Sequence, residues 1–297
     1  MLNNIHDSFF KRTFSVTENL QDLLLSTLPG EIISGIHTDT LEYDQTEYVD
    51  KELAPYFADI ACNVLYGDKP IKISLLFEHK SSLTKNIHLQ LLRYMLNVWE
   101  RQNSNNEELT PVIAIVFYHG KPKWNRTEMV KSVPEELRRF VPLFDYALFD
   151  TKQIEDLTIM QLFNRPDAKI GVWFLKRREN LISFIQDNPL LAREILREIR
   201  NIEKTDIQRI RLYLYNVSGM APDKIDQIMK TVSPESKDIF EELRMKEIQE
   251  GIQKGIEKTN MKNALNMIEK GYSDEQIAEI TNLSIKRIQA LRKERSV

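Results

Sequence analysis

The stretch Leu75–Tyr94, LLFEHKSSLTKNIHLQLLRY, sets an apolar, β-forming run directly against three ionisable side chains, Glu78-His79-Lys80. It then passes through a polar linker into a helical pattern. Strand side chains alternate between the two faces of a sheet. Ile71, Ile73, Leu75 and Phe77 therefore share one face, and Lys72, Ser74, Leu76, Glu78 and Lys80 share the other. His79 goes with the core set, while Glu78 and Lys80 point the same way at the end of the strand.

Just upstream, Gly67-Asp68-Lys69-Pro70 is a turn between two strand-like runs. A hairpin symmetric about Asp68-Lys69 places Asp59 opposite Glu78. Two carboxylates facing each other across a strand pair, with side chains about 5 Å apart, repel unless a proton or cation lies between them. A hard divalent metal such as magnesium suits the place, because it prefers carboxylate oxygens and keeps several waters. Lys80, on the same face, could hold a water or stabilise charge growing on a phosphate. Asp59, Glu78 and Lys80 together suit metal-assisted phosphodiester hydrolysis; the plainer alternative is a solvated strand end. In the helix that follows, Gln90 and Tyr94 are four apart and so share a face, beside the Ile87, Leu91 and Val98 stripe that would pack on the sheet.

Outward from this stretch, apolar residues from Ile5 to Leu28 recur at helical spacing until Pro29-Gly30, with a break near Ser15. Strands are expected over 36–49, 56–66 and 71–79, and a helix from about Thr84 to Gln102. A buried strand follows at VIAIVFY (112–118), then another near Tyr146–Asp150. From about Ile154 the pattern is helical throughout. The order αβββαβ followed by helices is an α/β fold with an all-helical C-terminal region. Within that region GIQKGIEK (251–258) repeats Gly and Ile every four positions. Glycine costs about 1 kcal/mol inside a helix, so a weak or flexible connecting helix is expected there.

Composition narrows the partners. With 297 residues, 42% of them hydrophobic, the chain can bury a sizeable core, and its net charge of −3 gives no bulk attraction to nucleic acid. The single cysteine, Cys62, lies in a strand-like run and reads as packing. Only 9 glycines occur, and neither GxGxxG nor GxxxxGK[ST] is present, so no nucleotide cofactor is expected. No run of 18 apolar residues exists, and MLNNIHDSFF lacks the form of a signal peptide; a cytoplasmic protein without membrane contact is expected.

Nucleic-acid contact would have to use local patches. Lys121, Lys123 and Arg126 surround Trp124 after the VIAIVFY strand and could touch a phosphate backbone. Lys176-Arg177-Arg178 reads as a solvated helix face, and His119-Gly120 as a strand-to-loop turn. His6-Asp7 suggests an HD-type phosphohydrolase, but the chain has only five histidines. At the C-terminus SDEQIAEITNLSIKRIQALRKERS resembles a helix-turn-helix, with Ser273 and Gln276 in capping-box positions and Ser284 capping a second helix. Lys286, Arg287, Gln289 and Arg292 are its groove-facing candidates. A trihelical protein-interaction module with a basic end is the alternative.

The runs HDSFFK (6–11), FAD (57–59), LLFEHKSS (75–82), QLLRYM (90–95) and IVFYHGKPKW (115–124) resemble the Rpn family of recombination-promoting nucleases. That family, also described as transposases, lies in the PD-(D/E)XK nuclease superfamily. The resemblance implies a restriction-endonuclease-like core, a mixed sheet flanked by helices, with magnesium as cofactor and DNA as substrate. It implies that Asp59 and Glu78 are metal ligands, Lys80 the catalytic lysine, Gln90-x-x-x-Tyr94 a QxxxY motif, and Asp7 an additional acid. Ala58 stands where the superfamily's name has proline. A nuclease domain over 1–200, a helical connection over 201–260 and a helix-turn-helix-like module over 261–297 are expected, with room for a homo-oligomer. Two alternatives are a catalytically weak nuclease fold that binds DNA or a partner through its C-terminal helices, and a transposase that joins ends.

Overall fold

A computed structural model describes residues 2–44, 60–68, 71–83, 86–126, 133–234 and 237–295. The expected break in the first helix is there: α1 (Leu2–Phe14) and α2 (Thr17–Thr27) are separate, and a single turn, α3 (Gly30–Ile33), precedes the first strand. Such a turn carries too few residues to register as a periodic pattern. The strands are β1 (Ile36–Tyr43), β2 (Ile60–Tyr66), β3 (Ile71–Lys80), β4 (Val112–Tyr118) and β5 (Tyr146–Asp150), with α4 (Ile87–Ser104) between β3 and β4.

These strands form one mixed sheet in chain order. β1, β2 and β3 are an antiparallel meander, and β4 and β5 then add in parallel. The β2–β3 hairpin has the register expected of a turn centred on Asp68-Lys69, running from Ile60 opposite Phe77 to Tyr66 opposite Ile71. Asp59, the next position, lies outside the described residues. Lys80 pairs with Tyr118, which pairs with Asp150, so the ends of β3, β4 and β5 are aligned.

Each face of the sheet is covered by helices, as a parallel connection requires. On one face α4 buries Ile87, Leu91, Tyr94, Met95 and Val98 against Ala114, Val116, Tyr118 and Tyr146. On the other, α1 brings Phe10 to 5.0 Å and Phe14 to 5.9 Å (ring centres) from Phe117, which stacks on Phe149. Cys62 is buried and unpaired by any disulfide, and burial raises its thiol pKa, as its packing role requires.

Behind α1 lie α5 (Asp156–Leu162), α6 (Pro166–Arg177), α7 (Leu181–Asp187), α8 (Pro189–Leu196), α9 (Lys204–Ser218) and α10 (Pro222–Val232). Gly171 of α6 sits where an added Cβ would meet Thr13 Cγ2 at 3.0 Å, so the close approach of α6 to α1 depends on the missing side chain. Arg211 of α9 and Asp226 of α10 form a buried ion pair, Nη2 to Oδ2 3.0 Å, and Tyr215 donates to the same carboxylate at 2.9 Å. Removing one partner of such a pair typically costs about 3–5 kcal/mol, because the other charge is left buried alone.

By packing, the chain divides into two compact units, Met1–Ser236 and Lys237–Val297. The second holds α11 (Lys237–Glu269), α12 (Asp274–Thr281) and α13 (Ile285–Arg295) around a small core of Ala264, Ile277, Ile288 and Leu291. The GIQKGIEK repeat is helical, as expected, and lies inside one continuous 33-residue helix. The capping box forms as its residues suggest: Ser273 Oγ accepts from Gln276 N at 3.3 Å and Gln276 Oε1 accepts from Ser273 N at 3.0 Å. Asn282, in the left-handed conformation (φ 54°), makes the turn before α13. Among the described residues no helix is long and apolar enough to cross a membrane.

Candidate functional site

The alternation of β3 decides which side chains face which layer. Phe77 and His79 turn into the aromatic layer beneath α1, where His79 stacks on Phe10 with ring centres 4.8 Å apart. Glu78 and Lys80 turn the other way, towards α4. There Lys80 Nζ lies 2.6 Å from Glu78 Oε1, and Gln90 Nε2 donates to the same oxygen at 2.8 Å. Gln90 also donates to the hydroxyl of Tyr94, one turn along α4. Tyr94 is buried, so the pair Gln90–Tyr94 is anchored in the α4 packing while reaching the carboxylate. Four of the expected residues, Glu78, Lys80, Gln90 and Tyr94, thus form one hydrogen-bonded group.

Glu78 is only 5% exposed, and its second oxygen, Oε2, is buried with no hydrogen-bond partner among the described residues. A buried carboxylate oxygen without a donor is costly, and it calls for a ligand that accepts its lone pairs. Among the described residues no group of three or more His, Cys, Asp or Glu side chains could by itself hold a metal ion. A magnesium ion does not need one, since it binds through one or two carboxylates and keeps waters. Glu78 Oε2 therefore suits one ligand position of a divalent ion.

Asp7 lies on α1, where it pairs with Lys11 at 3.2 Å. Its neighbours on α1 pack on the His79 side of β3, opposite Glu78 and Lys80: Phe10 stacks on His79, and His6 meets His119 edge-on at 5.7 Å. The histidines were the main element that sequence reasoning missed. His119, expected as a simple turn residue, is fully buried and stacks on His79 at 4.4 Å; its Nδ1 donates to Leu175 O at 3.2 Å. His6 Nδ1 lies 2.9 Å from the Tyr213 hydroxyl. Burial, aided by the Arg178 guanidinium, lowers the pKa of His6 to about 4. Burial first, then neighbouring His6 and Arg178, lowers that of His79 to about 3.

The basic patches divide. Lys121 and Lys123 are exposed, as a phosphate contact requires. Arg126 is committed elsewhere: it pairs with Asp145 at 2.8 Å, donates to Tyr146 O at 3.0 Å and lies over the Tyr146 ring. Trp124 anchors the same loop by donating to the Tyr146 hydroxyl at 2.9 Å. Lys176-Arg177-Arg178 is not a solvated face. Lys176 is buried and donates to Ile154 O, Arg177 pairs with Asp156 and lies over Phe184, and Arg178 reaches Ser81 O. Along the helix alone the three charges look solvated, but each side chain finds its partner on another segment.

In the second unit Lys286, Arg287 and Gln289 are exposed on α13. Arg292 is not presented with them: its Nε donates to Asp274 Oδ1 at 2.7 Å and its Nη2 to Tyr272 O at 2.5 Å, tying α13 to the start of α12.

Residues 4–208 match the family model described as "Putative transposase, YhgA-like". Among characterised proteins, the chain is 25% identical over 290 residues to the inactive recombination-promoting nuclease-like protein RpnE of Escherichia coli K12, covering 94% of both chains. It is 27% identical over 116 residues to the recombination-promoting nuclease RpnA of the same strain, covering 39% of this chain and 40% of that one. To the recombination-promoting nuclease RpnD of Escherichia coli O157:H7 it is 26% identical over 117 residues, 39% of this chain and 45% of that one. No solved structure matches the chain.

Proposed function

We propose a metal-dependent DNA endonuclease function for this chain, which belongs to the YhgA-like transposase family and is similar to recombination-promoting nucleases. The observation that carries the reading is the Glu78 carboxylate. One oxygen is held by Lys80 and Gln90, and the other is buried without a partner among the described residues, on the same side of β3 as Lys80. A PD-(D/E)XK core accounts for this arrangement, with Glu78 and Asp59 as the residues that would hold magnesium. When bound, the ion supplies Lewis-acid polarisation of a phosphate oxygen and a more acidic water.

The chain's own residues have distinct tasks in this reading. Gln90, fixed by Tyr94, donates to Glu78 Oε1, so that Oε2 would be the oxygen that serves as a ligand. Lys80 keeps a cation at the end of β3, where negative charge grows on the phosphate during in-line attack. Lys121 and Lys123 face solvent beyond β4, suited to contacts along the backbone of the substrate. Lys286, Arg287 and Gln289 would serve recruitment to duplex DNA if α13 enters a major groove.

A second reading is favoured by one specific observation: RpnE, the relative similar over 94% of the chain, is named inactive. In this reading the first unit keeps the nuclease fold and the protein works by binding DNA or a partner. Purified full-length protein incubated with supercoiled plasmid and magnesium separates the two. Nicked and linear products are expected from the wild type, with loss of about 100-fold or more in Glu78→Ala, Lys80→Ala and Asp59→Ala. Cleavage that persists in all three variants and ignores chelation would overturn the nuclease reading. Strong duplex binding without cleavage supports the second reading, and joined rather than hydrolysed ends indicate strand transfer.

A further inference from the structure

We infer that Arg178 is a positioning residue for Lys80, acting through the backbone at the end of β3; the inference rests on the nuclease reading above. Lys80 is the last residue of β3, after which the chain leaves the sheet for the connection to α4. A side chain at such a point is only as well placed as the carbonyls on either side of it. Two consecutive carbonyls are pinned: Lys80 O accepts from His119 N at 3.0 Å, and Ser81 O accepts from Arg178 Nη2 at 2.8 Å. The first bond extends the β3–β4 ladder. The second comes from a side chain 97 residues away, at the C-terminal end of α6.

An arginine at this place supplies more than a hydrogen-bond donor. Its side chain is 12% exposed; among the described residues its Nε is buried without an acceptor, and it pairs with Glu179, 3.5 Å away and 42% exposed. A guanidinium kept in this state loses hydration without full compensation. A neutral donor could make a bond to Ser81 O without that cost. The guanidinium adds a charge-assisted bond and a planar fork that can reach a carbonyl while resisting rotation. Its charge also bears on His6, His79 and His119, the three rings packed against the end of β3, so the group lies at the strand end and not merely along α6. Arg178 therefore joins the α6 terminus to the turn that presents Lys80, and the group formed by Glu78, Lys80 and Gln90 is held from both sides of the sheet.

The test compares wild type, Arg178→Gln and Arg178→Lys, with Lys80→Ala as the inactive control, in magnesium-dependent plasmid cleavage and in amide hydrogen exchange of residues 79–83. Expected for Arg178→Gln is a kcat lower by about 10- to 100-fold with KM within a factor of about two, since displacement of a reacting group by about 1 Å has this effect. Arg178→Lys should recover part of the loss, and exchange at 79–83 should quicken in Arg178→Gln while the α4 and β4 amides stay protected. Unchanged kcat, or unchanged exchange, in Arg178→Gln overturns the assignment. A fall confined to KM overturns it too, as the mark of a substrate contact. If both variants lose α4 and β4 protection, the role is structural and the assignment fails. A wild type that does not cut DNA counts against the nuclease reading instead, and the exchange arm still decides whether Arg178 holds the turn.

Discussion

Glu78 and Lys80 were readable from the sequence because a strand's two-residue period assigns every side chain to a face once one apolar set is recognised. The period also assigned His79 to the core, where it stacks on Phe10 and His119. What the period could not supply is the company His79 keeps, since His6, His119 and Arg178 come from three other elements. That company has a measurable consequence. His6 and His119 are held neutral in the folded chain, His6 with a pKa of about 4 and His119 well below the usual histidine range, chiefly through burial. An unfolded histidine takes up its proton near pH 6.5. Protonation therefore favours the unfolded chain: these groups cost nothing above pH 6.5, and stability is lost as pH falls from there towards 4. The slope approaches about 1.4 kcal/mol per pH unit for each histidine. Urea midpoints measured from pH 7 to pH 5 should fall in the wild type and fall less steeply in His119→Phe; a flat wild-type profile would contradict the burial of these rings.

Among the elements, the β2–β3 hairpin was legible to the residue, because a Gly-Asp-Lys-Pro turn between two apolar runs leaves little freedom in register. The single turn α3 was not, being too short for a period. The glycine-spaced segment, expected as a weak or flexible connecting helix outside the core, is helical and exposed. Its propensity cost is real, but helix on both sides carries it, so α11 runs unbroken from Lys237 to Glu269. Nothing lies within 4 Å of a Cβ added at Gly251 or Gly255, so alanine meets no obstacle at either place. Gly251→Ala and Gly255→Ala should each stabilise the helix by about 1 kcal/mol. Thermal melting followed at 222 nm checks this, and a lower midpoint in either variant would show that the glycines are packed against something in solution.

For the whole molecule, packing separates Met1–Ser236 from Lys237–Val297, and the helices α9 and α10 belong with the sheet through contacts such as His6–Tyr213. The second unit has its own small core. Calorimetry should show two transitions, the smaller with an enthalpy of about 40 kcal/mol if it unfolds the 61 residues of the second unit at about 0.7 kcal/mol each. Deleting 237–297 should remove that transition and leave the larger one in place; a single cooperative transition in the full chain would mean the units do not unfold independently.

The sequence by itself determined the order of strands, the register of the central hairpin, the faces of β3 and the capping of α12, because each depends on residues a few positions apart. Tertiary structure alone decided which charges are available. Arg126, Arg292 and Lys176-Arg177-Arg178 resemble Lys121 and Lys123 when read along the chain, yet each makes a hydrogen bond to a partner 18 to 97 residues away. A long cationic side chain shows its reach only once the elements around it are packed, and that is why the strand end carrying Glu78 and Lys80 could be found in the sequence while the arginine that holds it could not.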